Sequence, residues 1–144
     1  MARRHDSLIP LSHEHHDALM LAWRLLTGDL SKREPQLRAR HVGAFFEYRL
    51  LNHLRIEEEL LFPACRAVLG REASLIDVLL SDHSELRAKG VAIKDGAYEQ
   101  VDSFCTLLER HIRTEERQLF VLAQNRMKPA EIDELGRKIK ARLR

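Results

Sequence analysis

The segment His53-Leu54-Arg55-Ile56-Glu57-Glu58-Glu59-Leu60-Leu61-Phe62 returns later as His111-Ile112-Arg113-Thr114-Glu115-Glu116-Arg117-Gln118-Leu119-Phe120. This doubling constrains the fold more than any other feature. In each copy a His precedes a Glu by four residues, which on a helix puts both on one face with Cβ atoms about 5–6 Å apart. Two such pairs can converge on one metal centre. Wound at about 100° per residue, Val42, Phe46, Leu50, Leu60 and Ala64 fall within about 60° of His53, with Glu57 among them. In the second copy Phe104, Leu107, Leu108 and Leu122 surround His111, with Glu115 beside it. Both pairs therefore sit in the middle of an apolar stripe. An unpaired carboxylate there costs several kcal/mol, so something cationic is expected to meet it. A solvated His/Glu pair explains one copy, but it is a poor account of the repetition.

At 144 residues the chain has one domain's length and enough material for a real core. The 6 Gly and 4 Pro, with 44% apolar and 32% charged residues, suit a helical protein. The formal charge of +2 is small and the basic residues are scattered except near the two ends, so no nucleic-acid partner is expected. Cys65 and Cys105 have no CxxC spacing, which argues against a disulfide framework or a thiolate zinc site and for a reducing compartment. No run of about 18 apolar residues occurs, and no secretory leader is recognisable, so the reading is a cytoplasmic protein with no membrane partner.

The pattern along the chain predicts an all-α, up-down-up-down four-helix bundle with a short C-terminal fifth helix, all in a single domain over residues 1–144. Ser12 is the expected N-cap of the first helix and Gly28 its left-handed stop. Ser31-Lys32-Arg33-Glu34 reads as a capping box for a second helix that Pro35 enters and that runs to about Leu69, kinked or broken near Pro63. The third helix is expected from Ser74 to about Lys94, and the fourth from about Ala97 to Arg126. Pro129 opens the fifth, with apolar Ile132, Leu135, Ile139 and Leu143. The bundle thus occupies about residues 11–126 and the last helix about 129–143.

The remaining helices also carry histidines on apolar faces. His83 lies among Ile76, Leu79, Leu80 and Leu86. In the first helix the apolar residues centre on His15, with His16 about 100° round on the flank and His13 nearly opposite. Aligning His16-Asp17-Ala18-Leu19 with His83-Ser84-Glu85-Leu86 favours His16 instead. His15 is therefore ranked first, and His16 is kept as a sixth ligand or a group behind one. His5 and His41 have no partner at metal spacing. Imidazoles and carboxylates without thiolates suit iron, manganese or zinc. Four His and two Glu exceed the needs of one tetrahedral zinc and suit two non-haem iron ions about 3.5–4 Å apart, bridged by the carboxylates.

The order His15, His53-x-x-x-Glu57, His83, His111-x-x-x-Glu115, with Glu-Glu-x-x-Leu-Phe closing each pair, resembles the hemerythrin-like, HHE cation-binding family over nearly all of residues 11–126. The resemblance implies a di-iron centre that binds or senses dioxygen, or that handles a related diatomic or peroxide. There are two departures. Arg87 stands where the oxygen carriers place a second third-helix His. Both Glu115 and Glu116 are available where the carriers use a carboxylate five residues after the His, and Glu115 is favoured because it matches the first copy. Arg87 then suggests a site open on the His83 side, able to favour anions, or else a side chain that snorkels outward to water with its stem on the bundle surface. The expected function is a metal-binding or sensing protein rather than a dedicated enzyme. The alternative is a di-iron enzyme acting on nitric oxide or peroxide, or repairing iron–sulfur clusters, for which no cysteine is placed as a redox partner.

Overall fold

The computed structural model describes residues 3–143, which form five helices and no strand. Helix α1 is Ile9–Leu26. Helix α2 covers residues 35–66 and α4 residues 101–126; each is a run of α-helical segments joined by π-helical turns. Helix α3 is Ser74–Lys94 and α5 is Pro129–Arg142. Side-chain pairs link residues 14 and 17 of α1 to 53 and 49 of α2, and residues 58 and 66 of α2 to 87 and 77 of α3.

The helix starts differ from the caps expected of the sequence. Helix α1 begins at Ile9, with Pro10 in its first turn where a missing N–H costs nothing, and Ser12 lies inside the helix. The Ser12 hydroxyl donates to the Glu116 carboxylate instead. Pro35 does open α2, but Ser31 bonds the Gly28 carbonyl and no capping box forms. Gly28 is not left-handed; a side chain there would collide with the Trp23 ring, which lies 2.7 Å from an ideal Cβ. Gly96, at φ +110°, makes the turn between α3 and α4.

Three π-helical turns, Phe46–Leu50, Glu57–Leu61 and Glu115–Leu119, decide which residues are buried. The last two begin at the Glu of each repeat. A π turn closes i→i+5 bonds, so it takes in one extra residue and moves the buried face along by one. Straight winding places Leu60, Ala64 and Leu122 inward; the structure instead buries Leu61, Cys65, Leu119 and Ala123. Pro63 is exposed just beyond the π turn, and α2 continues one turn past it to Arg66.

The interior has two apolar clusters separated by a polar layer. One includes Ala18, Phe46, Leu54, Leu86, Phe104 and Leu108; the other includes Leu11, Ile56, Leu61, Leu79, Leu119 and Phe120. Ile132, Leu135 and Ile139 of α5 join the second cluster and close its end. Between the clusters lie buried His15, His53, Glu57, His83, His111 and Glu115. None of the helices is long and apolar enough to cross a membrane.

Candidate metal centre

Each of the four long helices delivers one imidazole to the layer, and α2 and α4 add one carboxylate each one turn later. All six side chains are at most 8% exposed. The imidazoles turn their Nε2 atoms inward: those of His15 and His53 are 3.1 Å apart. Glu57 divides its two oxygens between two pairs of rings. Oε2 lies 3.2 Å from His53 and 3.6 Å from His15, while Oε1 lies 3.0 Å from His83 and 3.6 Å from His111. Glu115 Oε1 sits 3.2 Å from both His15 and His111.

Donor atoms within 4.8 Å of one another fall into two groups, His15 with His53, Glu57 and Glu115, and Glu57 with His83 and His111. Such spacing lets each group close on a single ion. The donor set suits a cation on two grounds. It is all nitrogen and oxygen, and His111 Nε2 and both Glu115 carboxylate oxygens are buried with no hydrogen-bond partner among the described residues. Buried polar atoms left so cost about 1–3 kcal/mol each, more when charged, and a cation removes that cost.

The electrostatics agree. Burial by itself lowers the His53 pKa, but the Glu57 charge and the Glu14 hydrogen bond outweigh it and raise the ring to about 9. Burial likewise opposes ionisation of Glu57, yet the neighbouring imidazoles hold it well below the usual carboxylate range. His15 and His111 are also raised, against burial, by Glu115 and the other carboxylates around them. The layer therefore favours positive charge among its carboxylates, whether carried by protons or by metal.

Behind the rings stands a second set of carboxylates. The Nδ1 atoms meet Glu116 (His15, 2.6 Å), Glu14 (His53, 2.7 Å), Glu58 (His83, 2.6 Å) and Asp82 (His111, 3.0 Å). This arrangement sets which nitrogen faces the metal and steadies the ring plane. Winding alone turns Glu58 and Glu116 toward solvent. In the structure they are about one quarter exposed and bent onto the imidazole of the adjacent helix. Glu14 and Asp82 each directly precede a site His, a recurrence visible in the sequence that goes unread without the third dimension.

His16 lies outside this cluster, exposed on the flank of α1, and the exposed His13 lies outside it too. Arg87 does not face the layer. It grips the Glu58 carboxylate at 2.6 and 3.0 Å, one step behind His83. The cavity that reaches the site is on the opposite side: about 20 Å³, bounded by His15, His53 and His111, with apolar walls from Ala18, Leu50, Leu54, Leu108 and Ile112. Glu14 and Arg49 also line it. That volume accepts one water-sized guest.

No match was found among curated proteins or among solved structures. Residues 6–123 match the family model of the hemerythrin HHE cation binding domain, a span that contains all six buried donors and the four carboxylates behind them. The chain therefore belongs to the hemerythrin HHE family and binds metal cations through this domain.

Proposed function

We propose that His15, His53, Glu57, His83, His111 and Glu115 hold two non-haem iron ions in a centre that binds or senses dioxygen or a related diatomic molecule. The observation that carries this reading is the division of Glu57, one oxygen toward His15 and His53 and the other toward His83 and His111. A carboxylate so placed serves two ions rather than one, and six nitrogen and oxygen donors exceed a closed zinc site. Iron held by these residues would supply the redox chemistry that dioxygen binding requires. The protein's own part is to hold the rings, keep bulk water out through the two apolar clusters, and admit a guest through the small cavity beside His15, His53 and His111. Its size favours a diatomic over a larger ligand.

In the same reading the four long helices alternate up-down-up-down, as the pairing of rising residue numbers in α1 with falling ones in α2 supports. The protein is read as cytoplasmic. The enzymatic alternative is weaker because Cys65 and Cys105, at 0% and 1% exposure, offer no accessible thiol. The test is metal analysis of protein expressed with iron, followed by anaerobic reduction and addition of O₂, NO and H₂O₂ in turn under optical observation. We expect close to two irons per chain, with near-ultraviolet ligand-to-metal bands that respond to O₂ or NO. One zinc and no iron after iron-supplemented expression would sink the reading.

A further inference from the structure

The four carboxylates behind the imidazoles form a closed circuit around the bundle. Glu14 of α1 holds the His of α2, Glu58 of α2 the His of α3, Asp82 of α3 the His of α4, and Glu116 of α4 the His of α1. Three of the four are themselves capped by an arginine. Arg87 binds Glu58 at 2.6 Å, Arg4 binds Glu116 at 3.2 Å and Arg110 binds Asp82 at 3.4 Å. Among the described residues no arginine or lysine pairs with Glu14, which lies at the cavity; Arg49, on the same cavity, pairs with Asp17 instead.

A guanidinium draws on the charge of the carboxylate it caps, so a capped carboxylate polarises its imidazole less than an uncapped one. Hydrogen bonding of the distal ring nitrogen raises the donor strength of the nitrogen that faces the metal. His53 therefore has the strongest push of the four, and it shares its donor group with His15; both rings line the cavity, which His111 of the other group also borders. The inner donors differ as well, since Glu115 falls in the group of His15 and His53 while Glu57 is common to both, so the outer difference adds to an inner one and is read from the Glu14 variants rather than from the wild type.

We propose that Glu14, Glu58, Asp82 and Glu116 are the positioning residues of the centre, each aiming the imidazole of the next helix, and that Glu14, the member without an arginine, sets apart the metal position that His53 shares with His15. The proposal rests on the reading that the four imidazoles bind metal. It does not depend on which metal the cell supplies.

Cobalt(II) titrated into the metal-free protein tests it, because the visible bands of cobalt report imidazole and carboxylate coordination directly. The wild type is expected to take up two ions in steps of unequal affinity. Glu14→Gln keeps the shape and removes the charge; it should weaken one step by roughly 10–100-fold and shift that ion's bands, leaving the other step in place. Glu14→Asp should restore most of the affinity, and Glu85→Gln, which removes an exposed charge from α3, should change neither step. Arg87→Met uncaps Glu58 and should tighten the step on the His83 side, a change of sign that loss of structure alone does not produce. Equal weakening of both steps by Glu14→Gln, the same response from Glu85→Gln, or weaker binding in Arg87→Met would overturn the proposal. A silent Glu14→Gln beside a His53→Ala that abolishes one step would defeat the circuit and spare the metal reading. A silent His53→Ala would defeat both.

Discussion

Removing the Glu57 carboxylate reaches further than any other single change in this molecule. One substitution strips a donor from both groups, because its two oxygens stand 3.0–3.6 Å from all four imidazoles. Glu58 is the natural comparison: its neighbour in sequence, 24% exposed, paired with His83 and Arg87. Deleting one member of a fully buried ionic cluster costs about 3–5 kcal/mol. For Glu58 the charged hydrogen bonds are worth about 1.5–3 kcal/mol, which solvent screening reduces to roughly 1. At roughly 2–4 °C per kcal/mol for a chain of this size, Glu57→Ala should lower Tm by about 10 °C in the metal-free protein and Glu58→Ala by a few degrees. Metal adds a second difference. An ion present at about 1,000 times its Kd stabilises the fold by about 4.1 kcal/mol, and Glu57→Ala should forfeit it. The assay is elemental analysis together with melting curves in the presence and absence of EDTA. EDTA should lower the wild-type Tm and leave that of Glu57→Ala unchanged, with Glu58→Ala keeping most of its metal. If Glu58→Ala lost as much metal and as much EDTA sensitivity as Glu57→Ala, the inward carboxylate would be misassigned and the bridging argument would fall with it.

Helix α1 offers a graded series: His15→Ala should abolish binding to the first donor group, whereas His16→Ala and His13→Ala, both exposed, should leave metal content within error on elemental analysis. Burial, with the nearby Glu115 and Glu57 charges, pushes the Cys65 thiol up to about 12, and burial does the same to Cys105. Both should resist alkylation at pH 8 in the folded protein, where the thiolate fraction is on the order of one in ten thousand, and react on denaturation; modification of the native protein counted by mass spectrometry would contradict this. Gly90→Ala forces a Cβ to 2.5 Å from the Phe46 ring, an overpacking that should cost about 1–3 kcal/mol by denaturant unfolding; an unchanged midpoint would show that the ring moves aside freely.

The amino-acid sequence alone determined the helical class and the number of helices, pointed to His53, His83 and His111, and ranked His15 ahead of His16 in the first helix, because burial in a helix follows a period that the side chains themselves display. The doubled His-x-x-x-Glu was legible for the same reason: two residues four apart share a face whatever the rest of the chain does. Only the tertiary structure decided the matters in which one residue of an adjacent pair wins. The π turns at Glu57 and Glu115 move burial from Leu60 to Leu61 and from Leu122 to Ala123, and a straight helix has no means of announcing them. The one trace in the sequence was Gln118, which straight winding places in the apolar stripe and which the structure exposes while burying Leu119. Local rules make Ser12 and Ser31 caps because they weigh only the nearest backbone; the packed chain gives Ser12 a better acceptor in Glu116, more than a hundred residues away. The ring of carboxylates and the side of the cavity were hidden on the same account. Each contact joins two helices, and a period belongs to one helix at a time.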